Sequence, residues 1–125
     1  MRGIAFVASA DPSTRTLAAT ALENQGFSTF EIEDVSLVVD FLTSSRPDLL
    51  VLDAAAEGLD VGGVCTTLRK LEGGSRVRVL VLTAEGDSET AERALEAGVS
   101  DFAARPFPSR LLGHRIRHML RSGAL

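Results

Sequence analysis

The chain has 125 residues, of which 45% are hydrophobic and 24% charged, with a mean hydropathy of +0.16. This suits one compact domain able to bury a core without disulfides or a structural metal, and it excludes an extended disordered polymer. A net charge of −4 and a pI of about 5.1 argue against nonspecific nucleic-acid binding by the domain as a whole, and the single cysteine, Cys65, permits neither an intrachain disulfide nor a cysteine metal site.

The first residues, Met1-Arg2-Gly3, lead into the apolar run Ile4-Ala5-Phe6-Val7-Ala8 with no stretch of signal-peptide type, and no run is long enough to span a bilayer. A cytoplasmic protein is expected. The run predicts a strand near 3–8, ending in Ser9-Ala10. Asp11-Pro12 then reads as an N-cap with proline at the first helical position, opening a helix near 13–25 with an apolar stripe of Leu17, Ala21 and Leu22, ended by Gly26.

A second strand near 27–31, Phe27-Ser28-Thr29-Phe30, is polar enough for a sheet edge, and a helix near 35–45 follows, stopped by Pro47. The third strand, near 48–53, ends its run Leu49-Leu50-Val51-Leu52 on Asp53. A helix near 60–71 holds Cys65, read as a buried structural thiol, and closes at Gly73-Gly74. Gly62-Gly63 lies in its opening turn at roughly 1 kcal/mol per glycine, which predicts a comparatively mobile loop from Ala54 to Gly62. Strands near 77–83 and 101–104 alternate with helices near 87–97 and 108–121, the former ended by Gly98. The last helix carries Leu111, Leu112, Ile116, Met119 and Leu120 as its expected core stripe.

Five alternating β and α units predict a parallel sheet covered on both faces, in one domain over residues 1–125 with no linker or repeat. The chain stops shortly after its last helix, consistent with a complete small protein or with the N-terminal part of a longer one. Ligands of such sheets sit at the carboxyl ends of the strands. Four elements converge there: Ser9-Ala10-Asp11, Asp53, Thr83-Ala84 and Arg105-Pro106-Phe107. After Asp101 no acid appears, while Arg105, Arg110, Arg115, Arg117 and Arg121 do; a solvated basic helix is the favoured reading over nucleic-acid contact. His114 and His118, one turn apart, are read as solvated or interfacial rather than metal-binding.

On these residues, and on Arg46-Pro47-Asp48-Leu49-Leu50-Val51-Leu52-Asp53 in particular, the run from Ile4 to Arg121 resembles the receiver domain of bacterial two-component response regulators. The resemblance implies an α/β, flavodoxin-like (βα)5 three-layer sandwich with strand order 2-1-3-4-5. It implies that Asp53 is the phosphoacceptor of a histidine kinase, that the Thr83 hydroxyl bonds to the phosphoryl group, that Arg105 stands where a lysine pairs with it, and that Thr83 and Phe102 act in switching. The protein is then not an enzyme in its own right.

Two departures bear on the chemistry. Ser9 and Ala10 occupy the positions of the acidic pair, leaving Asp53 as a weak magnesium ligand at most. Asp11, one residue further on, is read as a helix cap. Arg105 replaces a compact ammonium by a planar fork, which allows a direct pair with Asp53. Glu57, in Ala54-Ala55-Ala56-Glu57-Gly58, replaces the family's usual proline and further loosens that loop. The expectation is an atypical receiver acting through protein contacts with weak or no magnesium-dependent phosphorylation and no resident cofactor. The alternative is a competent receiver phosphorylated on Asp53 with Mg²⁺.

Expected partners are a histidine kinase or other signalling protein, and an effector domain beyond Leu125. A homodimer through helix four to helix five is a further candidate, with Glu89, Glu92 and Glu96 facing a basic helix and with Asp101 and Arg115 at positions that the family uses for salt bridges. Neither membrane nor direct nucleic-acid contact by this domain is expected. A flavodoxin-like nucleotide or flavin binder is disfavoured because no glycine-rich phosphate loop follows the first strand.

Overall fold

The computed structural model describes residues 3–105 and 108–121. Five strands, β1 (Gly3–Ala8), β2 (Phe27–Ile32), β3 (Leu49–Asp53), β4 (Arg78–Thr83) and β5 (Asp101–Ala104), alternate with α1 (Pro12–Asn24), α2 (Val38–Ser44), α3 (Val61–Lys70), α4 (Ser88–Glu96) and α5 (Ser109–Arg121). All pairings are parallel, in the flavodoxin-like order β2-β1-β3-β4-β5. The order reverses direction between β1 and β3, so a crevice lies at the carboxyl ends of those two strands.

Strand alternation divides the core in two. Ala5, Val7, Leu49, Val51, Leu80 and Leu82 meet Ala18, Leu22, Leu112, Ile116 and Met119 of α1 and α5. Phe6, Ala8, Leu50, Leu52, Val79 and Val81 turn the other way, onto Val38, Leu42, Val64, Cys65, Leu68 and Ala94 of α2, α3 and α4. Burial on both faces explains why β1, β3 and β4 read as unbroken apolar runs, and the more polar β2 is indeed an edge strand. Cys65 is buried, as expected.

Two local expectations change. The second helix is not continuous over 35–45. The Asp34 carboxylate accepts from the Ser36 amide at 3.1 Å, fixing a 3₁₀ turn over Val35–Leu37 before α2 begins at Val38. Leu111 is 56% exposed and outside the core stripe, because Leu112, Ile116 and Met119 already define the buried face at spacings of four and three. The third helix begins where expected, directly after Asp60, whose carbonyl accepts from Val64 N at 2.9 Å.

Gly74 has a packing role: a Cβ there would lie 1.8 Å from the Leu68 carbonyl oxygen, which lets the chain turn tightly under the end of α3. Among the described residues no helix is long and apolar enough to cross a membrane.

The Asp11 cap is as the sequence predicts: its carboxylate accepts from the Thr14 amide at 3.2 Å, with Pro12 in the first turn. The Thr14 hydroxyl, chiefly, holds the Asp11 carboxyl below its ordinary value, helped by the amides of Thr14 and Ser13 and the Arg105 charge, against an opposing desolvation. Because the folded-state pKa is depressed, the cap's contribution is present above the ordinary carboxylate range and lost as the pH falls through it. Asp11→Asn keeps the cap acceptor but removes the titration. In acid denaturation followed by circular dichroism, its low-pH limb should be flatter than that of the wild type.

Candidate functional site

The register between β1 and β3 pairs Ala8 with Leu52, so the next residues, Ser9 and Asp53, emerge side by side at the crevice. Both are buried, Ser9 completely and Asp53 to 2% exposure. A carboxylate so placed needs partners, and three groups supply them. Ser9 Oγ donates to Asp53 Oδ2 at 2.7 Å, Arg105 Nη2 donates to Oδ1 at 2.8 Å, and the Ala55 amide donates to Oδ1 at 3.0 Å. The last bond arises locally, from the turn in which Asp53 leaves its strand.

Arg105 arrives from the end of β5, where its backbone amide bonds to the Thr83 carbonyl at 2.9 Å. Its side chain spans β4 to reach β3, a distance of about two strand spacings, or roughly 10 Å. The ion pair joins a guanidinium 30% exposed to a carboxylate 3% exposed. Its other arm, Nη1, donates to Thr14 Oγ1 at 2.9 Å.

On the opposite side, Arg15 Nη1 donates to the Ser9 carbonyl at 2.8 Å, and its guanidinium lies 3.5 Å from both Glu31 and Glu33. Arg15 thus ties α1 to the ends of β1 and β2.

The structure therefore brings together Asp53, Ser9 and Arg105. Ala10 is exposed and offers no ligand atom. Asp11 is turned into its helix cap, where Thr14 Oγ1 donates to it at 2.7 Å. Thr83 is buried, and its hydroxyl points to the Ala103 carbonyl at 3.5 Å, the outer limit of a hydrogen bond; no described bond joins it to Asp53. Phe102 is half-buried, packed against the α2–α4 core.

Pro106 and Phe107, the rest of the fourth converging element, lie outside the described residues. His114 and His118 are exposed on α5, and among the described residues no group of three His, Cys, Asp or Glu side chains is placed to hold a metal ion. Sequence reasoning missed Thr14. As a residue three positions after an N-cap it signals only helix capping, and nothing local announces that it also receives Arg105.

A parallel doubly wound sheet carrying an acidic residue at its β1/β3 switch point defines the class of flavodoxin-like α/β domains with a strand-end site. Residues 5–117 match the profile of the response regulator receiver domain, and the chain belongs to that family.

Among curated relatives it is 34% identical over 121 residues to the DNA-binding response regulator MtrA of Mycolicibacterium smegmatis, covering 97% of this chain and 52% of the relative. It is 34% identical over 111 residues to the transcriptional regulatory protein CseB of Streptomyces avermitilis, covering 89% of this chain and 46% of that protein. The chain thus spans about half the length of the curated relatives it matches.

Among solved structures, the chemotaxis response regulator CheY4 of Vibrio cholerae superimposes with a TM-score of 0.84 at 15% identity, covering 95% of this chain and 99% of that one. A receiver domain of a sensor histidine kinase from Pseudomonas aeruginosa, solved with a magnesium ion in its active-site cleft, gives 0.81 at 24% identity over 95% and 98% of the two chains. These likenesses establish the fold.

Proposed function

We propose that this receiver domain of two-component signalling works through protein contacts, with weak or no magnesium-dependent phosphorylation. The supporting observation is the state of the Asp53 carboxylate. Of its roughly four lone-pair positions, three are taken by Ser9, Arg105 and the Ala55 amide.

Magnesium prefers near-octahedral oxygen ligation and is usually held by one or two carboxylates. The donor set here is a single carboxylate already balanced by a guanidinium, a serine hydroxyl donating into it, and an alanine. That set does not fit the ion, and Arg105 supplies in place the positive charge that a metal brings to a phosphorylation site. Arg105 is the cation of this site, and Thr83 and Phe102 belong to its switching surface.

The second reading, a competent phosphoacceptor, draws on the placement of Asp53 at the switch point with a cation beside it. Calorimetric titration of the protein with Mg²⁺ separates the two. The proposed reading expects no saturable heat at millimolar metal, and saturable binding there favours the second.

The partners proposed are a histidine kinase or another signalling protein, with an effector segment following, since the relatives named as DNA-binding and transcriptional regulators are about twice as long. For the homodimer through α4, β5 and α5, the exposed Leu95 and Leu111 offer apolar contacts. Asp101 and Arg115, however, pair within the chain at 3.1 Å, so an intermolecular bridge requires their exchange. Such exposed pairs contribute about 0–1 kcal/mol. Light scattering at high protein concentration should therefore give a dimer that survives Arg115→Ala; a monomer throughout removes the proposal.

A further inference from the structure

The hydrogen bonds around Asp53 close on themselves. Ser9 Oγ donates to Asp53 Oδ2 at 2.7 Å, and Arg105 Nη2 donates to Asp53 Oδ1 at 2.8 Å. Arg105 Nη1 donates to Thr14 Oγ1 at 2.9 Å, and that hydroxyl donates in turn to Asp11 Oδ2 at 2.7 Å. The Asp11 amide completes the circuit by donating to Ser9 Oγ at 3.1 Å. Each hydroxyl donates one proton and accepts one bond, so the five residues are mutually consistent. A second geometry for Ser9, toward the Asp11 carbonyl at 3.5 Å, is too long to compete.

The ring draws on the end of β3, the residues that follow β1 and β5, and the first turn of α1. Three of its members, Ser9, Thr14 and Asp53, are at most 4% exposed. Polar bonds at such depth are strengthened by their surroundings, and an unpaired group is costly there, so breaking one link weakens the others.

We propose that this ring is an intramolecular latch. It fixes the Arg105 guanidinium on Asp53 and ties Arg105, at the end of β5, to the start of α1, with Thr14 as the positioning residue. The inference rests on the reading above that Asp53 is balanced by protein groups rather than by a metal. The planar fork is essential to it, because two arms reach Asp53 and Thr14 in fixed directions, whereas an ammonium is a single point charge. Any partner that displaces either Arg105 or the first turn of α1 has to open the same ring.

The test is a double-mutant cycle. Ser9 and Thr14 share no described hydrogen bond; around the ring they are linked by Asp11 on one side and by Asp53 and Arg105 on the other. Ser9→Ala and Thr14→Val, alone and together, are unfolded with urea in the full chain, and the cycle is repeated with Arg105→Met. The latch predicts that the combined effect on the unfolding equilibrium constant departs from the product of the single effects by on the order of tenfold. It also predicts that this coupling disappears with Arg105→Met and that Thr14→Ser restores wild-type behaviour.

Additivity overturns the proposal. So does coupling that survives Arg105→Met, since it would then run through the Asp11 cap. Should a variant fail to fold, nitrogen-detected NMR of the wild type decides instead: slow rotation of the Arg105 guanidinium is expected, and free rotation overturns the latch. Saturable magnesium binding with intact coupling defeats the functional reading alone; additivity without magnesium binding removes only the latch.

Discussion

Replacing Arg105 by methionine should lower the stability of the fold by about 2 to 3 kcal/mol at neutral pH. The substitution keeps a long apolar stem but leaves the Asp53 carboxylate, 3% exposed, without its counter-ion. Breaking a fully buried pair costs about 3 to 5 kcal/mol. The lower figure applies because the guanidinium is 30% exposed and water enters where it leaves.

For a chain of this length the change corresponds to a fall of about 10 °C in the thermal midpoint, read by circular dichroism. Most of the loss should be recovered by adding Asp53→Asn, which removes the stranded charge. Arg105→Lys should fall between the two, since an ammonium can meet Asp53 but does not hold Thr14 in the same geometry. Equal stability of Arg105→Met and wild type would mean that the pair carries no weight.

The second large effect concerns metal affinity. Ser9→Asp with Ala10→Asp should raise the affinity for Mg²⁺ at least about a hundredfold, equivalent to roughly 2.7 kcal/mol of binding free energy. Two oxygen-ligand carboxylates would then stand beside Asp53, where the β1–β3 register already places position 9. Without metal, the added charges crowd a buried carboxylate and the double variant should melt below the wild type. With saturating Mg²⁺ its midpoint should rise, because a ligand bound only by the folded state stabilises it by mass action. The chain has neither Trp nor Tyr, so the affinity is measured by calorimetry rather than by intrinsic fluorescence. No gain in affinity would mean that Arg105 blocks the site even when ligands are present.

Much of this arrangement was legible in the residues themselves. The apolar runs ending at Ala8 and Asp53, the capping Asp11-Pro12, and the terminators at Gly26 and Gly98 locate nearly every element to within a residue or two, because each reflects a local preference that the packing reinforces. The pairing of Arg105 with Asp53 followed from the exchange of lysine for arginine and the loss of acids after the first strand. Parallel connectivity then brings the ends of β3 and β5 within reach of one long side chain.

What the sequence hid were contacts between residues distant in the chain and polar only at their tips. Thr14 looks like one more capping hydroxyl, yet it receives Arg105 from ninety-one positions away. Arg15 looks like a solvated helix charge, yet it bonds the Ser9 backbone and faces two glutamates of the neighbouring strand end. The break before α2 and the exposure of Leu111 were missed for the opposite reason. There a single side-chain bond and one step of helical phase decide the outcome, and the hydrophobic pattern alone is blind to both.

Held by Ser9, Arg105 and a backbone amide, Asp53 is proposed to be a poor magnesium-dependent phosphoacceptor. Intact-mass spectrometry after incubation with acetyl phosphate and Mg²⁺, followed by peptide mapping, tests it most directly. An unmodified chain is expected, or a trace of adduct that is unchanged when Mg²⁺ is withheld. A stoichiometric phosphoryl adduct on Asp53 that depends on Mg²⁺ would contradict it.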